Sequence, residues 1–443
     1  MTWGWSRVST FTRLTGDMLC AGAAVVALVV LGGCGGGDPT PVAPPVSPLP
    51  PIVYLADQDT DGVDELYLAT SQVKLNHPLL PNQVVRDFTL LPDGTGVVYR
   101  VSLTTTELLE LYVVRFATPG AGVKLNAPLT GNDEVATFQV IPDGSGVIYV
   151  AANRHEVQRD LYHVSLATPG VPTKLEVPLG SAQYITDYEI LPNSLGVVAK
   201  VIESGRFKAF YLTRFAQPGS STLLTPSLPG STDVFSFAVT PDSSNLVYSI
   251  LGSEGGIYRV NFSVPQSAAL LNAPLPAGDS ASYRAALLDG SGVVYEVFHV
   301  SAPGNELCLV RFASPGTCMR LDDPLVTKHI ENVRITSDNS GVVYMAAPAS
   351  GGQTELYQAR FSAPGVGTKL NGSLPAGVHV QSYALVPDGA GAVFLATEQV
   401  FSDPPGKIMV DTELHRTNFA APGASTVLIN PAIAGGGRLR SLW

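Results

Sequence analysis

Positive charge is scarce in this chain. Against 37 Asp and Glu stand 26 Lys and Arg, a net charge of −11 over 443 residues. A surface of that balance offers phosphates no positive footprint, so nucleic acid is excluded as a partner. Tryptophan is scarcer still: Trp443 is the only one beyond residue 33, which speaks against stacking on carbohydrate. The seven histidines, His77, His155, His163, His299, His329, His379 and His415, share no repeat position that would bring two together. Their spacing therefore argues against a zinc or iron cluster. No Gly-x-Ser-x-Gly elbow precedes an α/β-hydrolase region, so the catalytic half of a serine peptidase of that kind is missing. The apolar run at residues 18–31 is too short to span a bilayer comfortably.

That run belongs to a segment set apart from the fold. Residues 1–33 carry Arg7 and Arg13 ahead of the apolar stretch and read as a signal peptide. They end in Leu31-Gly32-Gly33-Cys34, which resembles the bacterial lipobox. The resemblance implies lipidation of the Cys34 thiol and a mature N-terminus there. Residues 34–51 form a Gly/Pro-rich linker, with seven prolines between 38 and 51, an extended spacer between membrane and domain. Gly35 follows the cysteine where an Asp would favour inner-membrane retention in such lipoproteins. The expected location is the cell envelope, anchored by lipid in the outer membrane and facing the periplasm or the cell surface.

Residues 52–443 are built on a repeat of about fifty residues. Leu91-Pro92-Asp93-Gly94-Thr95-Gly96-Val97-Val98-Tyr99 returns as Ile141-Pro142-Asp143-Gly144-Ser145-Gly146-Val147-Ile148-Tyr149, then in weaker forms near Pro192, Pro241, Leu288, Ser337 and Pro387. Each copy continues into a Leu-Tyr strand, a Pro-Gly turn and a Lys-Leu-Asn-like strand. Period-two alternation and Gly/Pro punctuation give four strands per repeat, A to D, placed in the second blade at 85–91, 96–101, 109–116 and 123–129. The Asp-Gly pair between A and B is turn chemistry, not a catalytic aspartate. Pro78, Pro128, Pro178, Pro274 and Pro324 fall on strand D, which marks D as the outer edge. Counting the aromatic positions of strands B and C predicts an all-β propeller of eight four-stranded blades, with seven as the alternative. The first B strand, at 52–55, has no A strand before it, and residues 439–443 read as the displaced partner that closes the ring.

The Pro-Asp-Gly-Ser phrase, the Val-Val-Tyr strand, Glu110-Leu111-Tyr112 and Lys124-Leu125-Asn126-Ala127-Pro128-Leu129 resemble the WD-type propeller repeats of the TolB family. The likeness covers nearly the whole chain after the linker and implies an exported propeller. TolB pairs a six-bladed propeller with an N-terminal α/β domain, whereas this chain has a linker there and more blades. The resemblance thus carries little about TolB's partners.

Two candidate sites stand out. In Asp57-Gln58-Asp59-Thr60-Asp61-Gly62-Val63-Asp64-Glu65, carboxylates at positions one, three, five and nine with Gly at six resemble the calcium loops of integrin-type propellers. Asp57, Asp59, Asp61, Glu65 and the Val63 carbonyl are the expected Ca²⁺ donors. Leu68 stands where an EF-hand has its Glu, so that motif is excluded. The competing reading is a polar hairpin tip. Cys308 and Cys318 are the remaining cysteines after Cys20 and Cys34, and an exported pair could oxidise to a disulfide. Sialidase-type Asp boxes and quinone-binding Trp motifs are absent. The function read from these features is a non-enzymatic, monomeric binding or scaffold module that recognises an envelope protein or polymer and touches the membrane only through its lipid. The alternative is a propeller-type lyase or hydrolase using the central channel.

Overall fold

The computed structural model describes residues 51–103, 108–129, 133–153, 159–225, 233–251, 255–301, 304–323, 328–348, 352–401, 408–423 and 427–428. Cys34, the 33/34 boundary, the linker and the expected closing strand at 439–443 lie outside them. Within them, eight antiparallel sheets follow one another, each a meander whose strands pair in chain order. Seven sheets have four strands. The first has three, Val53–Ala56, Glu65–Leu68 and Val73–Lys74. The chain is an eight-bladed β-propeller.

The second blade shows why the repeat folds this way. Its strands are Gln83–Leu90, Gly96–Leu103, Leu109–Arg115 and Val123–Lys124. In the A–B turn, Asp93 Oδ1 accepts the Thr95 N–H at 2.9 Å, and Gly94 takes a φ of +65° that side chains resist. Gly96 answers a different need: a Cβ there would lie 2.4 Å from the Val114 carbonyl oxygen. The Val-Val-Tyr run is apolar without alternation because both faces of strand B are covered. Val97 and Tyr99 pack toward the first blade, Val98 toward the third.

Strand D is shorter than its expected span at 123–129, and the reason is chemical. The Leu125 N–H donates to the Leu111 carbonyl at 2.8 Å, but the Leu111 N–H is taken by the side-chain oxygen of buried Asn126, also at 2.8 Å. Pro128 then has no N–H to offer. The same substitution of side chain for backbone recurs with Asn76, Asn272 and Asn371. The prolines therefore follow the ladder, in the connection to the next blade, instead of sitting on the strand. Pro324 lies outside the described residues.

Seven apolar clusters hold the structure together, one at each junction between consecutive sheets. Cross-strand ring stacks line them, among them Tyr99 on Tyr112, Tyr149 on Tyr162 and Tyr344 on Tyr357. These aromatics are blade-to-blade core, as their place in the repeat suggests. Every strand A in the second to eighth blades also carries a β-bulge near its middle, as at Val85/Asp87, Ile185/Asp187 and Tyr283/Ala285. One extra residue there bends and twists the strand.

Candidate functional site

The sixth blade departs from the repeat at the positions that elsewhere carry structure. Its strands are Ser280–Ala286, Gly292–Phe298, Glu306–Arg311 and Met319–Arg320. Cys308 replaces the C-strand tyrosine opposite Tyr295, and Arg320 stands where other blades place Lys124 or Lys369. Asp322 takes the role of Asn126, accepting the Leu307 N–H at 2.8 Å.

Register builds a polar centre at one end of this blade. Ser280 pairs with Phe298, so Asp279, one residue before strand A, meets His299, one residue after strand B. Asp279 Oδ2 lies 2.7 Å from His299 Nδ1, while its other oxygen accepts the Val300 N–H at 3.0 Å. The Val300 N–H first, and then His299, hold the Asp279 carboxyl below its usual range. In the neutral tautomer that donates its Nδ1–H to Asp279, the ring lone pair lies at Nε2. Nε2 is buried, makes no hydrogen bond, and lies 3.6 Å from Glu306 Oε1. Glu306 in turn accepts Arg320 Nη1 at 2.7 Å, and Arg320 Nη2 reaches the buried Asp322 at 3.0 Å.

Other described histidines serve packing or single bonds. His77 stacks on Tyr112, His163 on Phe215 and His415 on Phe394. His415 also keeps a buried ring nitrogen without a partner, at Nδ1, but its Nε2 faces the half-exposed Glu413 and no buried carboxylate orients it. On the opposite face of the sixth blade, Glu296 is fully buried, bonded by Arg284 Nε at 2.6 Å and Asn305 Nδ2 at 2.5 Å. Burial pushes the Glu296 carboxyl up despite those partners.

The two sites expected from the sequence fare differently. The Asp57–Glu65 hairpin does not gather its carboxylates into a cation site. Lys74 Nζ bridges Asp59 and Glu65 at 2.6 Å each, and Asp57 Oδ2 accepts the Gly62 N–H at 3.3 Å. Glu65 is buried against Lys74 and Asn76 because it is this blade's copy of a repeated Glu–Lys pair, seen again in Glu110–Lys124 and Glu355–Lys369. Val63 donates its N–H to the Thr60 carbonyl within the turn, and Asp61 is exposed at its tip. Among the described residues, one group of three metal-ligating side chains lies together: Glu306, Cys308 and Cys318, with donor atoms within 4.8 Å of one another. Cys308 and Cys318 are joined in a disulfide with a Cα separation of 5.1 Å. The tight hairpin pairs Cys308 with Arg320, and Cys318, two residues short of that partner, still reaches it.

The His299 centre is marked in the sequence neither by histidines near each other nor by ligands at repeat spacing. Its signal was different: an Asp and a His flanking paired strands twenty residues apart, in the blade that breaks the repeat at Cys308, Arg320 and Asp322.

No protein-family profile and no characterised protein matches the chain in sequence. Solved structures do match. Dipeptidyl peptidase 4 of Porphyromonas gingivalis superposes with a TM-score of 0.53 at 12% identity, over 84% of this chain and 57% of that one. Prolyl oligopeptidase B of Galerina marginata gives 0.47 at 13% identity, over 79% and 51%. An oligogalacturonate lyase, solved in complex with manganese, gives 0.47 at 14% identity, over 84% and 96%. The chain thus spans about half the length of the two peptidases. These likenesses show the fold. Against the expectation of a non-enzymatic module stands the fact that this fold is shared, at 12–14% identity, with peptidases and a lyase.

Proposed function

We propose that this chain is a propeller-type hydrolase or lyase whose reaction centre is His299, oriented by Asp279 and faced by Glu306. The observation that carries the reading is the buried, unpartnered Nε2 of a histidine whose other nitrogen is bonded to a carboxylate at 2.7 Å. An acceptor buried without a partner costs about 1–3 kcal/mol. A fold retains such a group where a ligand or water supplies the missing donor. Nε2 then takes a proton, either from a water attacking a scissile bond or from carbon next to a carbonyl, and the Asp279 carboxylate stabilises the imidazolium that forms. Glu306, held by Arg320, keeps a carboxylate oxygen 3.6 Å from Nε2.

The test is turnover by the purified chain on peptides and on acidic polysaccharides. Hydrolysis is read as new amine or reducing ends without unsaturation, elimination as a new conjugated double bond in ultraviolet absorbance. His299→Gln is expected to lower turnover by about 10²–10⁴-fold, the usual worth of a positioned base, with an unchanged melting temperature. Absence of turnover on both panels, or full activity in His299→Gln, rules the proposal out.

A further inference from the structure

The Cys308–Cys318 disulfide covers a set of donors that its reduction would release. Glu306 and both sulfurs have donor atoms within 4.8 Å of one another, and His299 Nε2, buried and without a bond, sits 3.6 Å from the Glu306 carboxylate. Two thiolates and a carboxylate, with imidazole beside them, are the ligands of a thiophilic divalent cation of the zinc class. We infer that the reduced protein binds one such cation at Glu306, Cys308 and Cys318, and that the disulfide is the oxidised, metal-free form of the same site.

Charge and access both suit this. Cys308 is fully buried, so its thiolate would be costly there without a compensating cation. The divalent ion offsets two of the three negative ligands, and the Arg320 guanidinium, shared between Glu306 and Asp322, offsets part of the remaining charge. Cys318 is exposed and gives the ion a way in. The second shell is present as well: Arg320 is anchored on buried Asp322, and His299 on Asp279. The chemistry balances. A dithiol reductant delivers two electrons and two protons, breaking the Sγ–Sγ bond to two thiols while becoming a disulfide itself. The cation then displaces both thiol protons to solvent.

This inference does not depend on catalysis by His299, and its readout is binding alone. The full chain is titrated with Co²⁺ and with Zn²⁺ in oxidised form and after reduction by a dithiol that is then removed. The reduced protein is expected to take one ion, with a thiolate-to-cobalt charge-transfer band that zinc abolishes, and the oxidised protein none. Cys318→Ser, at an exposed position, should lose the band, and Glu306→Gln, which removes a ligand, should weaken binding by at least the roughly 10–100-fold that loss of an outer-shell partner costs. Because oxidised and reduced wild type are compared directly, a misfolded variant cannot decide the outcome. No band in the reduced protein, or equal binding in both redox states, overturns the inference.

Discussion

At the scale of single residues, one lysine decides the character of the Asp57–Glu65 hairpin. Lys74 bonds Asp59 and Glu65 with its ammonium, so the positive charge expected from a bound ion is supplied by the chain itself. Burial works against that charge, but the two carboxylates outweigh it and raise the lysine pKa above its usual value. A divalent cation would have to displace an ammonium already in contact with both acids. Lys74→Met is therefore expected to do two things. It should lower stability, because buried Glu65 loses its partner. It should also make the melting temperature respond to calcium, by as much as about 2.7 kcal/mol when the free ion is a hundredfold above its dissociation constant. Wild type should stay unmoved. Differential scanning calorimetry with calcium and with chelator checks both, and a calcium shift in wild type equal to that in the variant would refute the account.

At the scale of the element, the A–B turn shows how strain and inter-blade bonding trade places. The turn position held by Gly94, Gly144, Gly290 and Gly389 at positive φ is Ser194, Ser243 and Asn339 in other blades, at φ of 63°, 58° and 55°. Each of these three side chains accepts a backbone N–H from the preceding blade: Ser194 from Asp143 at 3.1 Å, Ser243 from Asn193 at 2.9 Å, Asn339 from Leu288 at 3.0 Å. A left-handed non-glycine residue costs on the order of 1–3 kcal/mol and persists where its surroundings compensate. Ser243→Ala keeps the strain and removes the acceptor, so it should destabilise by about 1–2 kcal/mol. Ser243→Gly gives up the bond but relieves the strain, and should fall between wild type and alanine. Urea midpoints measure the order, which fails if the alanine variant matches wild type.

At the scale of the whole molecule, the stacked tyrosines couple the ring to alkaline pH. Burial pushes the Tyr99 phenol up to about 12, and it raises Tyr149, Tyr248, Tyr344 and Tyr357 as well. The unfolded value is about 10, so the folded protein holds protons that the unfolded chain releases. Stability is then complete below about pH 10 and is lost as pH rises through the folded values, by about 1.4 kcal/mol per pH unit for each such phenol. Because these rings lie in clusters between successive blades, tyrosinate absorbance and near-ultraviolet dichroism should change together in one alkaline transition. Ionisation of the buried tyrosines with the dichroism intact would contradict this.

Much of the architecture was already legible along the chain. Asp93-Gly94-Thr95-Gly96 states its turn locally, since the aspartate bonds a backbone two residues away and the glycines answer a positive φ and a close approach. Repeated about every fifty residues, that phrase carried the strand class and the number of sheets. The end of strand D could not be read the same way, because Asn126 competes with the ladder only once Leu111 lies beside it. The candidate site depended on register throughout. Asp279 and His299 become neighbours because Ser280 opposes Phe298, and Lys74 reaches Asp59 and Glu65 because strand D returns beside strand C. Sequence by itself determined what is set by contacts a few residues apart: turns, strands and the blade count. The tertiary structure alone decided which side chains meet across strands, because that follows from pairing, where a shift of one residue would turn each of them to the other face.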